Sequence, residues 1–298
     1  MDSLPALLKT QTLTRCKPFL GTFVEVTLTG RETQQTLITY SEQVFDEIQR
    51  IESALSFFDE NSELSQFNRW ASDDAVGTFK LSEDFFNVLS FALKLYRQSH
   101  QLFDVTIAPH LIKQGALPQQ SLVQRLQGVE YWGNSSDITI FHHQVAIEKP
   151  LIIDFGGIAK GYAVDKAFAK VPKFIGVVIN AGGDLRTRPW QEREVYIQYG
   201  KRKSSTKRQV MLDSAIATSG NYLRNGSVMI NPKTGKQISR GGAISVFAHS
   251  AMMADALTKV VWLLAENKAT YYQAQYVLNQ YKAKAISINR FGWRREIN

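Results

Sequence analysis

The chain has 298 residues, of which 44% are hydrophobic and 21% are charged, a composition typical of a folded globular protein and not of a disordered one. The formal net charge is +8, but no aromatic residue interrupts the basic run at 201–208, so the run favours a solvated loop over a nucleic-acid groove. A single cysteine excludes an internal disulfide, and the longest apolar run near the C-terminus, 260–265, is too short to span a membrane. The N-terminal stretch has no basic region before an apolar core, so we expect a cytoplasmic protein without nucleic-acid partner or membrane insertion.

The N-terminal third predicts one strand and two long helices. Apolar and polar residues alternate over 23–30, which is typical of a strand with one buried face. Apolar residues recur at steps of three and four over 33–56 and again over 81–100, and this spacing predicts two amphipathic helices. Between the helices, Ser62 is expected to cap a short turn that ends at Asn68.

The stretch 103–109 is a candidate site loop. Pro109 forbids simple helical continuation, so Asp104 and Thr106 are expected on an extended turn. The next predicted elements are a short helix at 121–129 and a hairpin at 137–150. Two adjacent histidines lie near the turn of that hairpin, and we interpret them as solvated, because a metal site would need further ligands supplied by the fold.

A glycine-rich stretch at 154–165 is typical of a phosphate or pyrophosphate site. It follows a short apolar run that predicts the end of a buried strand, and it leads into a helical spacing. Glycine adds no side-chain bulk, so a ligand can approach unshielded N–H groups at Gly156, Gly157 and Gly161. Lys160 adds a cation inside the loop. The spacing matches neither the Walker nor the Rossmann motif, so a tight structural turn remains the alternative.

The C-terminal half predicts strands joined by tight connections and a last helix. The predicted elements are an apolar strand that breaks at 180–184, a hairpin at 195–212, turns at 218–220 and 231–235, and a strand followed by a helix over 244–267. On that helix Asp255 and Thr258 are one turn apart, which puts both oxygens on one face. No internal repeat or linker divides the chain, so we expect one domain over 1–298.

Eight motifs follow one another in an order that is specific in combination. They are FLGT at 19–22, FFDENSELSQFN at 57–68, FDVTIAP at 103–109, DFGGIAKGYAVD at 154–165, INAGGDL at 179–185, AIATSGNY at 215–222, INPKTG at 230–235 and AMMADAL at 251–257. In these motifs the chain resembles the ApbE-type flavin transferases, which move FMN from FAD onto a threonine or serine of another protein. The resemblance covers most of the chain.

The resemblance implies a compact single-domain α+β fold, with mixed or antiparallel sheets flanked by helices. It implies FAD as substrate, Mg²⁺ at the pyrophosphate, release of AMP, and an acceptor flavoprotein with a Thr/Ser flavinylation motif as partner. Position by position, it places FAD beside Leu20, Phe103, Asp104, Gly156, Gly157, Lys160, Tyr162 and Ile230. It places the metal on the Ala159 carbonyl, on Asp255 and on a hydroxyl of the same helix, here Thr258. Asp255 and Lys160 are the implied catalytic residues.

Several positions depart from the family pattern. Leu20 replaces a methionine, and Val228 and Asn231 replace a histidine and an aspartate. Lys259 replaces the hydroxyl four residues after Asp255, and an ammonium cannot coordinate Mg²⁺. Binding of FAD without catalysis, or hydrolysis of FAD to FMN and AMP, are therefore alternative functions.

Lys259 allows two arrangements of the predicted metal site. Its ammonium can pair with Asp255 or with the FAD phosphates and take the place of Mg²⁺. Alternatively, Thr258 supplies the metal ligand while Lys259 extends toward solvent along its own stem. We favour the second arrangement at this point, since a flexible lysine leaves a site more easily than a rigid residue does.

Overall fold

The structure is a computed structural model that describes residues 9–73, 77–118, 132–202, 204–220, 229–238, 241–265 and 268–298. The predicted helix at 121–129, Lys203 and Val228 lie outside these residues. The described strands are β1 (Gln11–Phe19), β2 (Thr22–Gly30), β3 (Phe79–Lys80), β4 (Ile138–Phe141), β5 (Gln144–Ile147), β6 (Gly176–Ala181), β7 (Asp184–Arg188), β8 (Glu194–Gln198), β9 (Thr206–Val210), β10 (Ala215–Gly220), β11 (Ala243–Ala248), β12 (Lys284–Ile288) and β13 (Arg294–Ile297).

Helices account for much of the remaining described chain. They are α1 (Gln34–Leu55), α2 (Glu63–Ala71), α3 (Glu83–Gln98), α4 (Ala108–Lys113), α5 (Ala159–Ala169), α6 (Ala251–Leu264) and α7 (Tyr271–Gln280). Single 3-10 turns lie at Val105–Ile107, Ser135–Asp137 and Lys268–Thr270. The hydroxyls of Thr33, Ser62, Ser82 and Ser250 cap α1, α2, α3 and α6 by accepting a backbone N–H of the first turn.

One eight-stranded sheet organises the fold, in the order β1-β2-β6-β7-β10-β11-β12-β13. Two smaller sheets have the orders β3-β5-β4 and β8-β9. Every strand pair in the described residues is antiparallel, and helices pack beside the sheets, which confirms the predicted α+β class.

The two faces of the large sheet are covered differently. On one face, Val24, Val26 and Leu28 of β2 belong to a core cluster that also holds buried side chains of α1 and α5. On the other face, Ile197 of β8 and Met211, which directly follows β9, share a cluster with Phe247 and Ile286. The helices α5 and α6 therefore lie on the face opposite the β8-β9 hairpin.

The crossing of α5 and α6 is unusually close. A Cβ built on Gly161 would lie 2.3 Å from Ala251 O and 2.7 Å from Met252 N, so only glycine fits. Asp165 then holds the start of α6, accepting from Ala251 N at 2.8 Å and from Met252 N at 2.9 Å. Gly161 therefore serves helix packing, and not the approach of a ligand that its place in the motif suggested.

Three local predictions were wrong. The apolar run at 151–153 is not a strand, and the buried side-chain amide of Asn68 bonds both Ile153 N and Ile153 O at 2.9 Å. The helix α2 does not end at Asn68 but continues to Ala71. The predicted turn at 218–220 lies within β10, paired with β11.

The break predicted at 180–184 is a tight hairpin. Gly182 and Gly183, with φ of 63° and 108°, form the two-residue turn between β6 and β7, and Ala181 pairs with Asp184. Pro109 lies in the first turn of α4, directly after the 3-10 turn that Asp104 caps, so this loop is more helical than predicted. Among the described helices, none is long and apolar enough to cross a membrane.

Candidate active site

A cavity of about 420 Å³ opens between the glycine-rich segment, the β6-β7 turn and α6. This volume lies in the range of small-molecule sites. The predicted site residues that line it are Phe103, Asp104, Gly156, Gly157, Lys160, Ile230 and Asp255. Part of the wall is apolar and includes Leu102, Ile107 and Met229, and the exposed ring of Phe58 lies at its edge. The cavity thus combines an apolar wall with a charged end.

The glycine-rich segment forms an open part of the wall. Gly157 lies beneath Lys259 and Phe103, since a Cβ built on Gly157 would be 3.5 Å from Lys259 Cε and 3.7 Å from Phe103 Cε2. Neither Gly156 nor Gly157 has positive φ. A Cβ on Gly156 would lie 2.9 Å from Asp154 Oδ2, so a close approach explains this glycine, whereas a Cβ on Gly157 would make only ordinary contacts. The helix α5 begins directly after them and has no side-chain cap, as in anion sites at helix N-termini.

Two lysines and two aspartates meet at the charged end. Lys160 Nζ lies 3.1 Å from Asp184 Oδ2 and 3.6 Å from Asp255 Oδ2, and it also donates to Gly156 O at 3.5 Å. Lys259 Nζ is bonded to Asp255 Oδ1 and donates to Asp255 O at 3.0 Å. Both carboxylates are almost fully buried, whereas the lysines keep 31% and 22% of their side chains exposed. The ammonium groups therefore stand between the carboxylates and the open cavity.

The electrostatics of the cluster follow from burial and from its opposite charges. Burial raises the pKa of Asp184, and the neighbouring Asp255 carboxylate raises it further. Burial would lower the pKa of Lys160, but the charges of Asp184 and Asp255 outweigh burial and raise it. Lys160 therefore stays protonated across the physiological range and is a fixed cation.

Asp154 is a third carboxylate of the cavity, with a different environment. Its Oδ2 accepts a hydrogen bond from Gly156 N at 3.0 Å, and no described lysine or arginine forms an ion pair with it. Burial raises the pKa of Asp154 to about 6, despite the hydrogen bond from Gly156 and the charge of Lys160. Such a carboxylate is ionised at neutral pH yet more basic than an ordinary aspartate.

Asp104 has a positioning role. Its Oδ1 accepts from Thr106 N at 2.9 Å, from Thr106 Oγ1 at 2.7 Å and from Ser135 Oγ at 2.7 Å. These bonds fix the turn that carries Phe103 and Ile107 into the apolar wall. The predicted site loop therefore lines the cavity, and its aspartate holds the loop in shape.

Four of the predicted site residues do not line the cavity. Leu20, with φ of 56°, begins the two-residue turn between β1 and β2. Tyr162 is buried and donates its hydroxyl to Asp84 Oδ1 at 2.7 Å. Ala159 begins α5, and Thr258 is fully buried. Their assignment to FAD or to a metal stays a prediction.

The donor set does not fit a divalent cation. Asp255 Oδ1 carries the ammonium of Lys259, and Asp255 Oδ2 faces Lys160 Nζ and accepts from Gly161 N at 3.4 Å. Thr258 Oγ1 donates to Asp255 O at 2.6 Å and is hydrogen-bonded to Ser219 Oγ at 2.8 Å. Mg²⁺ prefers an octahedron of oxygen ligands, and two ammonium groups on one carboxylate repel it. Lys259 thus adopts the arrangement that the sequence did not favour.

Sequence reasoning missed Asp154 and Asp184 as site residues. Asp184 follows a glycine pair at the end of an apolar strand, and an acidic residue after such a turn was the available signal. Asp154 also lies next to a glycine pair, which it precedes by two residues. What the sequence did not contain is the long-range contact that brings Lys160, on α5, to Asp184, on β7.

Comparison with known proteins identifies the class to which this fold and this cavity belong. The model described as the ApbE family matches residues 20–283, so the chain belongs to the ApbE family. It is similar to the curated FAD:protein FMN transferase of Haemophilus influenzae, with 28% identity over 77% of this chain and 75% of that protein. The FAD:protein FMN transferase of Escherichia coli K12 is 24% identical over 84% of this chain and 78% of that protein. The chain is thus a transferase of the ApbE family.

Solved structures show the same fold. The apo form of the flavinyl transferase ApbE from Pseudomonas stutzeri superposes with a TM-score of 0.79 and 18% identity, covering 100% of this chain and 97% of that one. The flavin transferase ApbE from Vibrio cholerae superposes with a TM-score of 0.76 and 19% identity, covering 97% of each chain. These likenesses confirm a single compact fold of helices and antiparallel sheets.

Proposed function

We propose that this protein transfers FMN from FAD onto a threonine or serine hydroxyl of an acceptor flavoprotein and releases AMP. The observation that carries the proposal is the cavity itself, in which a glycine-rich segment and the ammonium groups of Lys160 and Lys259 lie beside an apolar wall. A flavin ring suits the wall with Phe58 and Phe103, and a diphosphate suits the charged end. The curated relatives are named for this reaction.

In the proposed reaction, the oxygen of the acceptor hydroxyl attacks the flavin-side phosphorus of FAD. A new P–O bond forms, the bond from that phosphorus to the bridging oxygen breaks, and AMP leaves with the bonding electrons. Lys160 and Lys259 stabilise the negative charge that develops on the phosphate oxygens, which is the main electrostatic demand of phosphoryl transfer. Asp255 holds both lysines in place, so it acts through them.

The hydroxyl proton needs an acceptor in the cavity. Asp184 and Asp255 are paired with lysines, and Asp104 Oδ1 already accepts three hydrogen bonds. Asp154 lines the cavity, forms no ion pair with a described lysine or arginine, and has a pKa raised by burial to about 6, so it can accept a proton. We therefore assign the proton to Asp154. The magnesium dependence that the resemblance implies is left out of the proposed reaction, because the residues around Asp255 do not fit the ion.

The test incubates purified protein with FAD and a threonine-containing acceptor domain, with the same acceptor carrying valine at that threonine as control. We expect covalent FMN on the acceptor by intact mass, with one AMP by chromatography for each FMN attached. AMP and free FMN without modified acceptor would show a hydrolase instead. Bound FAD with no AMP would show a binding or delivery protein. Either result would contradict the proposed transfer.

The matched variants are Lys160→Met and Lys80→Met. Lys160 contacts both buried carboxylates, whereas Lys80 is exposed on β3 and does not line the cavity. We expect transfer to fall by about 100-fold or more in Lys160→Met, a loss typical of removing one stabilising group from a transition state. Lys80→Met should keep the activity of the parent.

A further inference from the structure

The charged end of the cavity holds a lysine where the family pattern has a hydroxyl. Lys259 lies four residues after Asp255 on α6, and its ammonium bonds the Asp255 carboxylate and the Asp255 carbonyl. Its side chain lines the cavity, with Cε over Gly157. The cation of Lys259 is therefore built into the wall beside the glycine-rich segment.

We propose that Lys259 takes the place of a divalent metal ion, so that this protein binds the diphosphate of FAD without a metal. The proposal rests on the proposed function, since it takes FAD as the ligand. It concerns how the chain neutralises the ligand's phosphates, and it holds whether the bound FAD is transferred, hydrolysed or only delivered.

The hydrogen-bond inventory supports a role toward a ligand. A lysine ammonium has three donors, and Lys259 directs two of them to Asp255. Among the described residues the ammonium has no partner outside Asp255, so its third donor is directed to no protein atom and can meet a ligand oxygen in the cavity. Lys160 is more fully used, because its ammonium lies near Asp184, Asp255 and Gly156 O together.

The described charged groups at this end of the cavity include no excess of carboxylates that would call for a metal ion. The carboxylates of Asp255 and Asp184 face Lys259. Together with Lys160 this end of the cavity holds two basic and two acidic side chains. Lys259 supplies one positive charge at the place where a divalent ion would supply two, and this charge adds to that of Lys160. A phosphate group therefore meets two cations that need no recruitment from solution.

The alternative ligands are engaged elsewhere. The hydroxyl of Thr258 is fully buried and bonded to Ser219 and to the carbonyl of its own helix. The described residues contain no cluster of three or more metal-binding side chains of the histidine, cysteine, aspartate and glutamate types. The chain thus offers an ammonium at the place where a metal ion would otherwise be held.

The test titrates FAD into the parent protein by isothermal calorimetry, once with EDTA and once with millimolar Mg²⁺. We expect the two dissociation constants to agree within about twofold, because the cation is part of the chain. FAD binding that is more than about tenfold tighter with Mg²⁺ would overturn the inference and leave the proposed function standing. An absence of FAD binding in both buffers would overturn both.

Two variants sharpen the test. Lys259→Met removes the charge and keeps the stem, so FAD affinity should fall by about 10- to 100-fold in either buffer, as expected for the loss of a charge-assisted hydrogen bond. Lys259→Thr restores a hydroxyl at the family's position, so its affinity should be low in EDTA and should recover with Mg²⁺. Lys80→Met is the control and should bind FAD as the parent does. Unchanged FAD affinity in Lys259→Met, with its fold verified by circular dichroism, would contradict the role of Lys259.

Discussion

At the scale of single residues, Asp154 is a carboxylate that the fold keeps at a cost. Burial raises its pKa to about 6, from 3.8 for an ordinary aspartate. A raised pKa in the folded state means that stability is fully present below the unfolded pKa and is lost as the pH rises through about 6. The ionised carboxylate therefore opposes folding at neutral pH, which is reasonable only if the cavity uses it.

The prediction concerns Asp154→Asn. The amide cannot ionise, and its oxygen can still accept from Gly156 N, so the variant should be more stable than the parent above pH 6, by at most about 3 kcal/mol. The advantage should shrink toward zero as the pH falls below 4. Urea unfolding of both proteins at pH 4, 6 and 8 measures it. A difference in stability between the two proteins that does not change with pH would show that Asp154 is not titrating. In addition, FMN transfer by the variant should be strongly reduced.

At the scale of elements, the crossing of α5 and α6 sets the geometry of the site. The crossing places Lys160, near the start of α5, beside Asp255 on α6, and Asp165 ties the two helices together. Arg186 Nη1 also bonds Asp165 Oδ1 at 2.6 Å, which connects α5 to β7 and thus to Asp184. The cluster of charges therefore depends on packing between three elements.

Gly161→Ala should disrupt this crossing. Its Cβ would lie 2.3 Å from a backbone oxygen of α6, which cannot move without separating the helices, so we expect a loss of about 3 kcal/mol or more in the free energy of unfolding. Gly157→Ala is the matched control, because its nearest contact is 3.5 Å. The control should unfold as the parent does in urea, yet bind FAD more weakly. Equal unfolding curves for Gly161→Ala and the parent would contradict the packing role.

Asp165→Ala should loosen the start of α6. It removes two hydrogen bonds to backbone N–H groups and leaves Arg186 without its carboxylate, so we expect a loss of about 3 kcal/mol in stability. Asp46→Ala, on the exposed side of α1, is the control and should change stability by less than about 0.5 kcal/mol. Thermal unfolding followed by circular dichroism compares the two. A similar small change in both variants would show that Asp165 does not hold the helix.

At the scale of the whole molecule, the sequence predicted those helices and hairpins whose patterns depend on neighbouring residues. The apolar spacing of α1 and α3 gave both helices, and the His142-His143 turn joins β4 and β5 as predicted. The edge strand β1 was missed, because its residues alternate only between exposed and half-buried. The elements α7, β12 and β13 received no prediction. Asn68 was misread because its partner, Ile153, is remote in the sequence.

The order of the large sheet carries a prediction about folding. β2 pairs with β6, and the residues joined are separated by about half of the chain, so this pairing requires closure of a long loop. The helix α1, which depends on local contacts, should form earlier. In pulse-labelled hydrogen exchange during refolding, amides of α1 should become protected before the amides of β6. Simultaneous protection of both would contradict this order.

The same strand order matters during synthesis. The β1-β2 hairpin leaves the ribosome before its partner strand β6, which begins about 150 residues later, a wait of roughly 10–30 s at ordinary rates of translation. For that time the edge of β2 that pairs with β6 stays open. We therefore expect the nascent chain to depend on chaperones that bind exposed strands during this interval.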